Sequence, residues 1–598
     1  MSISVEPASS RCGGALADAL RAIVLSGESA DLDGELPGLL SRIAGGSRTG
    51  LAPEAATARS YAVMRALCAA TDPPSVIVRD VHRLCALHDW AAVAEPTAGA
   101  LMSVHYNLCV ASIVGLSQRP EYTRDLLAEL DGMRSVGLLM ATEGTTGNDL
   151  TSIRTRARYD EATDSFVLTS PDAAAYKVMS TSAYPGVAKI AVVLARLDPP
   201  AGAGARDRGP LHAFLVRIAT QDGPVPGVCV TPLSRGLAGG MDYARTGFHG
   251  VAVPRRHWLA GPRPDGADAD PRRPDPGSLG RFWLTLDCLK LGRILLPSMA
   301  LATARASLAI TVRYSLRRMT RGAAWAAVPA LSQRNHRAAL MTCLSRVYAA
   351  TALVNDAKDR WAAGIAEPER TLMVNSVKVH ASYTALSVID ECRERAGARG
   401  MLLGNRIAEY LGIAHGAVTA EGDNQVIALA LGRLLAARPP AHLGRLDALG
   451  PAPSGGAFDA ARLKSLLEAR VRGLLGEAAR VHRAGGRAPE RETAAETLRD
   501  AALAYADAEA FRSLGDRIPA GGADAARCVL EHYGLGAVLR HADWYLAHGL
   551  LDPQSWNAAR ERLEHGHREL AEIAQELVDA FGYAPEFLGA PMQDGIGI

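Results

Sequence analysis

Thr419-Ala420-Glu421-Gly422-Asp423-Asn424-Gln425 is the stretch of this chain best suited to chemistry. It sets the carboxylate of Glu421 on a short polar turn, with Gly422, Asp423 and two amide side chains around it, directly before the apolar run at residues 426–431. A carboxylate placed there is a candidate general base. Its reference pKa of about 4.3 makes glutamate a weak base in water, and burial beside apolar groups raises that value toward a working pH. Residues 138–149 offer a different kind of site: an apolar strand runs into Thr142-Glu143-Gly144-Thr145-Thr146-Gly147-Asn148-Asp149, a loop dense in hydroxyls, amides and glycine. Such a loop can present N–H groups and short donors to a polar ring or a phosphate. A second β segment ends in Tyr176-Lys177-Val178-Met179-Ser180-Thr181-Ser182, again rich in hydroxyls. Two such loops in one β region suggest a single pocket, although each alone has the composition of an ordinary polar turn.

These candidates need elements to hold them. From about residue 14 to 130, alanine, leucine and arginine dominate and apolar residues recur at helical spacing. The texture changes near Val136, where short β-branched or alternating segments separated by Asp, Gly and Pro continue to about Leu259. Residues 261–278 carry five prolines among Asp, Gly and Arg and read as a linker or exposed hairpin. Helical texture returns over 282–437. A second break runs from Arg438-Pro439-Pro440 to Gly455-Gly456, and a last helical region continues to about 581, interrupted at Gly485-Gly486 and Gly521-Gly522. The expected fold is α+β, mainly α, with an N-terminal helical domain over 1–135, a β domain over 136–278, a helical bundle over 279–440 and an additional C-terminal helical domain over 456–598.

A chain of 598 residues exceeds what one core supports. Its 48% hydrophobic and 21% charged residues are those of a globular protein, and a net charge of +2 argues against a nucleic-acid partner. Lysine supplies only Lys177, Lys189, Lys290, Lys358, Lys378 and Lys464 of the 65 basic residues, a bias that suggests GC-rich bacterial coding. The nine cysteines form no CxxC pair and no metal-finger spacing, so no metal site and a reduced cytoplasm are expected. The first eleven residues lack the apolar stretch of a signal peptide. Residues 96–118 hold no charge and could span a bilayer by length, but His105, Tyr106, Asn107 and several serines assign them to a buried helix.

The order of the candidates is more specific than any one of them. Thr142-Glu143, Gly147-Asn148-Asp149, Lys177 with Ser180, Tyr314 with Arg318, Gly397 with Gly400, and Glu421-Gly422 with Gln425 together resemble the acyl-CoA dehydrogenase and acyl-CoA oxidase superfamily. The chain is most similar to the oxidases, because it continues well past the helix after Glu421 and carries an oxidase-like closing segment at 577–588. His105 and Glu391-Cys392-Arg393 are similar to oxidase residues as well. The resemblance implies a barrel-like β domain and FAD held between it and the helical bundle. It implies Glu421 as the catalytic base. Thr142, Gly147, Ser180, Arg318, Gln333, Gly397, Asp423 and Gln425 are implied to touch FAD, and Asn148 and Arg293 the acyl thioester. The family arginine matching Arg318 reaches the FAD of a neighbouring subunit, so a homodimer or larger homo-oligomer is implied.

The reaction implied is proton abstraction α to a thioester carbonyl with hydride transfer from the β carbon, giving an α,β-unsaturated acyl-CoA or carrier-bound thioester. Oxygen is the expected acceptor, with hydrogen peroxide as product. Alternatives on the same fold are a dehydrogenase with a protein electron acceptor, a flavin monooxygenase, or a catalytically silent scaffold. Three departures bear on the choice. Residues 178–182 replace the family's tryptophan-containing run, which leaves the electron acceptor open. Ala398 stands for a glycine and would cost about 1 kcal/mol if its φ were positive. The chain ends Gly595-Ile596-Gly597-Ile598 without a peroxisomal Ser-Lys-Leu address, which suits a bacterial cytoplasmic enzyme with a specialised biosynthetic substrate.

Overall fold

The computed structural model describes residues 13–25, 30–45, 51–198, 209–237, 239–259, 287, 289–444, 457–483, 488–518 and 524–594. The expected linker at 261–278, most of the break between Arg438 and Gly456, the glycine pairs at 485–486 and 521–522, and residues 595–598 lie outside the described residues. Helices α1 (Gly13–Val24) and α2 (Ala30–Ile43) open the chain. The chain divides into two compact units, one of Gly38–Leu295 and one of Met1–Pro37 with Leu296–Ile598.

The first unit begins with α3 (Pro53–Ala70), α4 (Val81–Ala94), α5 (Pro96–Ser103) and α6 (Pro120–Asp131). Proline stands at the start of three of them, where its missing N–H costs nothing, and Asp80 caps the fourth by accepting from the His82 and Arg83 N–H groups. A π-helical turn, Val104–Val110, carries His105 to the sheet. There the Gly137 N–H donates to His105 Nδ1 at 2.7 Å. Burial pulls the His105 ring down to about 3, so it stays neutral and can accept.

Ten strands come next: β1 (Val136–Met140), β2 (Arg156–Asp160), β3 (Ser165–Thr169), β4 (Lys177–Ser180), β5 (Lys189–Leu197), β6 (Leu211–Thr220), β7 (Gly223–Pro224), β8 (Val228–Pro232), β9 (Ala244–Pro254) and β10 (Trp258–Leu259). They form one sheet in the order β10-β6-β5-β2-β3-β9-β4, with β1 on β5, β7 on β6 and β8 on β9. Pairing is antiparallel except where β1 and β2 meet β5. Leu138, Phe166, Val193, Phe214, Phe248 and Trp258 fill its core. Each such side chain contributes about 1.5–3 kcal/mol on burial. The expected β region is thus a single sheet whose strands change direction at short Asp- and Gly-bearing turns.

The second unit is helical. It comprises α7 (Gly292–Arg317), whose first turn lies in the preceding unit, then the hairpin β11 (Met319–Arg321) and β12 (Ala327–Pro329), α8 (Arg334–Ala362), α9 (Glu369–Arg395), α10 (Ile407–Thr419) and α11 (Asn424–Ala437). The last helices are α12 (Ala460–Arg483), α13 (Ala488–Asp516), α14 (Asp524–Leu539) and α15 (Pro553–Glu572). Leu372 and Val379 of α9, Ile427, Leu431 and Leu435 of α11, Val471 and Leu475 of α12, and Ala501 and Tyr505 of α13 share one core. The last helices are therefore packed into the bundle that carries Glu421. The closing segment is tied in as well: Arg313 of α7 donates to Asp579 Oδ1 at 2.7 Å, the Tyr583 carbonyl at 2.9 Å and Gln593 Oε1 at 3.2 Å.

Three helical stretches, Pro96–Leu116, Gly292–Arg317 and Arg334–Ala362, are long and apolar enough to cross a membrane, and their apolar windows are 67%, 94% and 78% buried within the protein. The charge-free stretch expected to be a buried helix is one of them.

Candidate active site

Glu421 lies in the turn between α10 and α11, in left-handed backbone at φ 56°, followed by Gly422 at φ 110°. A non-glycine residue in that region costs of order 1–3 kcal/mol and persists only where the surroundings hold it. Several groups do so here. Asp423 caps α11 by accepting from the Gln425 N–H at 2.9 Å. The buried ammonium of Lys378, on α9, donates to the Ala417 carbonyl at 2.5 Å and to Asn424 Oδ1 at 2.9 Å. Asn424 in turn donates to Ser382 Oγ at 2.9 Å. One cation thus fastens the last carbonyls of α10, where the helix dipole is negative, to the first residue of α11. Gln425 Nε2 donates to the Tyr383 hydroxyl at 3.0 Å. Glu421 itself is half-buried, with its Oε2 shut off from solvent. Lys378→Met removes charge-assisted bonds of about 1.5–3 kcal/mol, so hydrogen exchange at residues 422–425 is expected to quicken by roughly 10–100-fold. Unchanged exchange there would mean that the turn is held by other contacts.

A second cluster joins the end of α7 to the turn after α9. Tyr314, fully buried, accepts from Arg318 Nη1 at 2.5 Å and from Arg399 Nη1 at 3.3 Å. Both guanidinium groups also lie over its ring, at 5.6 Å and 5.7 Å from the centroid. Arg318 forms no ion pair with a carboxylate among the described residues. The glycine turn brings Arg399 there: Gly397 adopts φ 62°, and a Cβ on Gly400 would stand 2.4 Å from the Arg393 carbonyl oxygen. The cost expected of Ala398 does not arise, because the left-handed position falls on the glycine before it. Gln333, the residue just before α8, donates to the Arg321 carbonyl at 2.9 Å and so braces the β11–β12 hairpin. Arg293 sits in the first turn of α7.

In the sheet unit, a buried pair shapes the first hydroxyl loop. Glu143 accepts from Lys177 Nζ at 3.0 Å, from the Arg154 and Thr155 N–H groups at 2.8 Å each and from Thr155 Oγ1 at 2.7 Å. Lys177 also donates to the Ala141 carbonyl at 3.0 Å, and the Val178 N–H to the Thr142 carbonyl at 3.0 Å. The loop is fixed to β4 on both sides of Thr142, which is half-buried, while Gly147 and Asn148 are exposed. Asn148 takes φ 61°. On β4 a bulge places Met179 at φ 61° and leaves it 58% exposed. That kink turns the Ser180 hydroxyl inward, within 3.1 Å of Ser182 Oγ and 3.2 Å of Thr246 Oγ1.

Residues 288–436 match the acyl-CoA oxidase C-alpha1 domain, and this segment contains Glu421, both arginines beside Tyr314 and the glycine turn. The chain is 30% identical over 317 residues to peroxisomal acyl-coenzyme A oxidase 3 of Homo sapiens, covering 49% of this chain and 44% of that one. Its fold matches acyl-CoA oxidase 3 of Yarrowia lipolytica with a TM-score of 0.84 at 18% identity, over 98% of this chain and 90% of the other. The likeness to acyl-CoA oxidases thus covers a domain of about a quarter of the chain by family match and about half of the chain by identity, and the whole chain by fold. It spans about half the length of the curated relatives it matches. Acyl-CoA oxidase 2 of Caenorhabditis elegans, crystallised with FAD, ascaroside-CoA and ATP, shares the fold at a TM-score of 0.81 and 18% identity, over 98% and 92% of the two chains.

The structure brings together Glu421, Asp423 and Gln425 on one turn, and Arg318 with the Gly397 turn at one tyrosine. Reading the sequence missed Lys378, Ser382 and Tyr383, which hold the Glu421 turn, and Arg399, which pairs with Arg318. One signal pointed to Lys378: lysine is scarce in this chain, so each one retained is a choice against arginine.

Proposed function

We propose that this chain is an FAD-dependent acyl-thioester oxidase, which introduces an α,β double bond into an acyl-CoA or carrier-bound acyl group and passes the electrons to O2 as hydrogen peroxide. The observation that carries this reading is the Glu421 turn, a strained carboxylate-bearing turn anchored by a buried cation inside the segment that matches the acyl-CoA oxidase domain. Arg318 and Arg399 suit a dinucleotide diphosphate, since a planar guanidinium binds phosphate oxygens in pairs and Arg318 has no carboxylate to neutralise it among the described residues. Gln425, Asp423, Gln333 and Gly397 are the further FAD contacts of this unit, and Thr142, Gly147 and Ser180 those of the sheet unit. FAD supplies the hydride acceptor when bound. Glu421 accepts the proton from the carbon α to the thioester carbonyl, a step that requires the carboxylate to be oriented and partly desolvated. The buried Oε2 and the Lys378 clamp meet both needs. Asn148, exposed at the loop tip, and Arg293 hold the thioester arm.

The same reading supplies a second copy of this chain as partner. Met319, Trp325, Met401, Leu402 and Leu403 are large apolar side chains exposed around the Arg318 and Gly397 turns, with Trp325 80% exposed. The cysteines among the described residues are all free, which fits a reducing compartment such as a bacterial cytoplasm. A specialised biosynthetic acyl group is the substrate class this reading favours.

Anaerobic titration tests the activity. The purified protein is expected to show flavin absorbance that bleaches with a suitable acyl thioester and returns in air with about one hydrogen peroxide per flavin. A protein that takes up FAD and stays coloured across short, long, CoA-bound and carrier-bound acyl groups would rule the reading out.

A further inference from the structure

Where α8, α9 and α13 meet the segment that follows α11, they enclose a cleft of about 880 Å³. That is within the roughly 300–1,000 Å³ of small-molecule sites. Its lining includes neither the Glu421 turn nor the cluster at Tyr314. Leu353 of α8, Leu372 and Met373 of α9 and Tyr505 of α13, all buried, make an apolar floor. Pro439, Pro440 and His442 stand at the rim. The His442 ring stacks on that of Tyr505, with centroids 6.3 Å apart and planes at 26°. A flat aromatic surface beside an apolar floor suits a planar ligand.

The charges of the cleft are largely closed on one another. Arg512 donates to both oxygens of Glu509, at 2.9 Å and 3.4 Å, and lies 3.3 Å from Asp356 Oδ2. Asp356 also pairs with Arg360 at 3.5 Å, and Glu509 Oε1 lies 3.5 Å from His442 Nε2. Glu369 and Arg438, the remaining charges of the lining, are of opposite sign and exposed to solvent. A charged group entering the floor would give up its water and find its counter-charges already engaged, which is costly. One polar group is different. Tyr505 is 6% exposed, and its hydroxyl makes no hydrogen bond among the described residues. Burial, with the Glu509 charge added, pushes that hydroxyl up, so it stays protonated and is a donor. A buried donor is unfavourable unless an acceptor reaches it. We propose that this cleft binds a planar, uncharged small molecule whose carbonyl oxygen accepts from the Tyr505 hydroxyl. Such a site lies apart from acyl oxidation and stands whether or not that activity is found.

Equilibrium dialysis of the intact chain against fluorenone, a planar ketone, and fluorene, the same ring system without the oxygen, tests it. About one fluorenone per chain is expected, bound roughly fivefold more tightly than fluorene. Tyr505→Phe removes only the O–H. It is expected to keep the parent melting temperature and to bring fluorenone down to the affinity of fluorene, which itself stays unchanged. His442→Ala, at the exposed rim, is expected to weaken both probes without disturbing the fold. A fluorenone carboxylate is expected to bind about tenfold more weakly than fluorenone. The proposal is overturned by fluorenone that does not saturate, by equal affinity for fluorenone and fluorene, by a carboxylate that binds as tightly as the ketone, or by an affinity for fluorenone that either variant leaves unchanged.

Discussion

Glu421→Gln is expected to lower acyl-dependent flavin reduction by about 10²–10⁴-fold, the usual contribution of a positioned general base. The substitution keeps the shape of the side chain and removes only its capacity to accept a proton. It leaves the backbone untouched at φ 56° and the clamp from Lys378 to Asn424 intact. FAD content, melting temperature and helicity are therefore expected to match the parent. Rapid mixing under anaerobic conditions measures the step directly, because reduction is seen before oxygen takes part. A Glu421→Gln protein that reduces its flavin at the parent rate would show that desaturation does not use this carboxylate. A protein that loses its flavin as well would show instead that the turn is part of the cofactor site.

The second large effect is on stability. Lys177→Met leaves Glu143 buried without its cation, and breaking a buried pair in this way costs about 3–5 kcal/mol. The expected result is a lowered first thermal transition, with faster hydrogen exchange at Arg154 and Thr155, whose N–H groups Glu143 accepts. A Glu143→Leu/Lys177→Met double variant is not expected to recover, because those N–H groups would then lack an acceptor. The pH dependence carries a sign that identifies the group. Burial, only partly offset by Glu143, draws Lys177 from 10.5 down to about 8. Between those values the unfolded chain binds more protons than the folded one, so this group makes stability rise with pH across that window. The Lys177→Met protein is expected to lack that rise, as urea unfolding at pH 8 and pH 10 would show. An unchanged transition in the variant would mean that the loop at Thr142 stands without the pair.

Much of the architecture could be read from local pattern. Helical spacing and the change to short alternating segments near Val136 are properties of neighbouring residues, and the structure agrees with them. The Glu421 turn was legible for a related reason, since Glu421, Asp423 and Gln425 lie within five residues and their relation is set by a single helix start. Met179 shows where this stops: its left-handed backbone and the bulge it makes on β4 are not written in the local pattern, and they set which side chains that strand end exposes.

By itself the sequence determined the order of helices and strands, and the short turn on which Glu421, Asp423 and Gln425 stand together. Those properties are set by spacing along the chain, which is where helix caps, strand alternation and motifs are written. Tertiary structure decided which cation holds the Glu421 turn and which second arginine joins Arg318 at Tyr314. Lys378 and Asn424 are 46 residues apart, Tyr314 and Arg399 85. Contacts at such separations depend on how buried faces pack and on which charges that packing leaves without a partner.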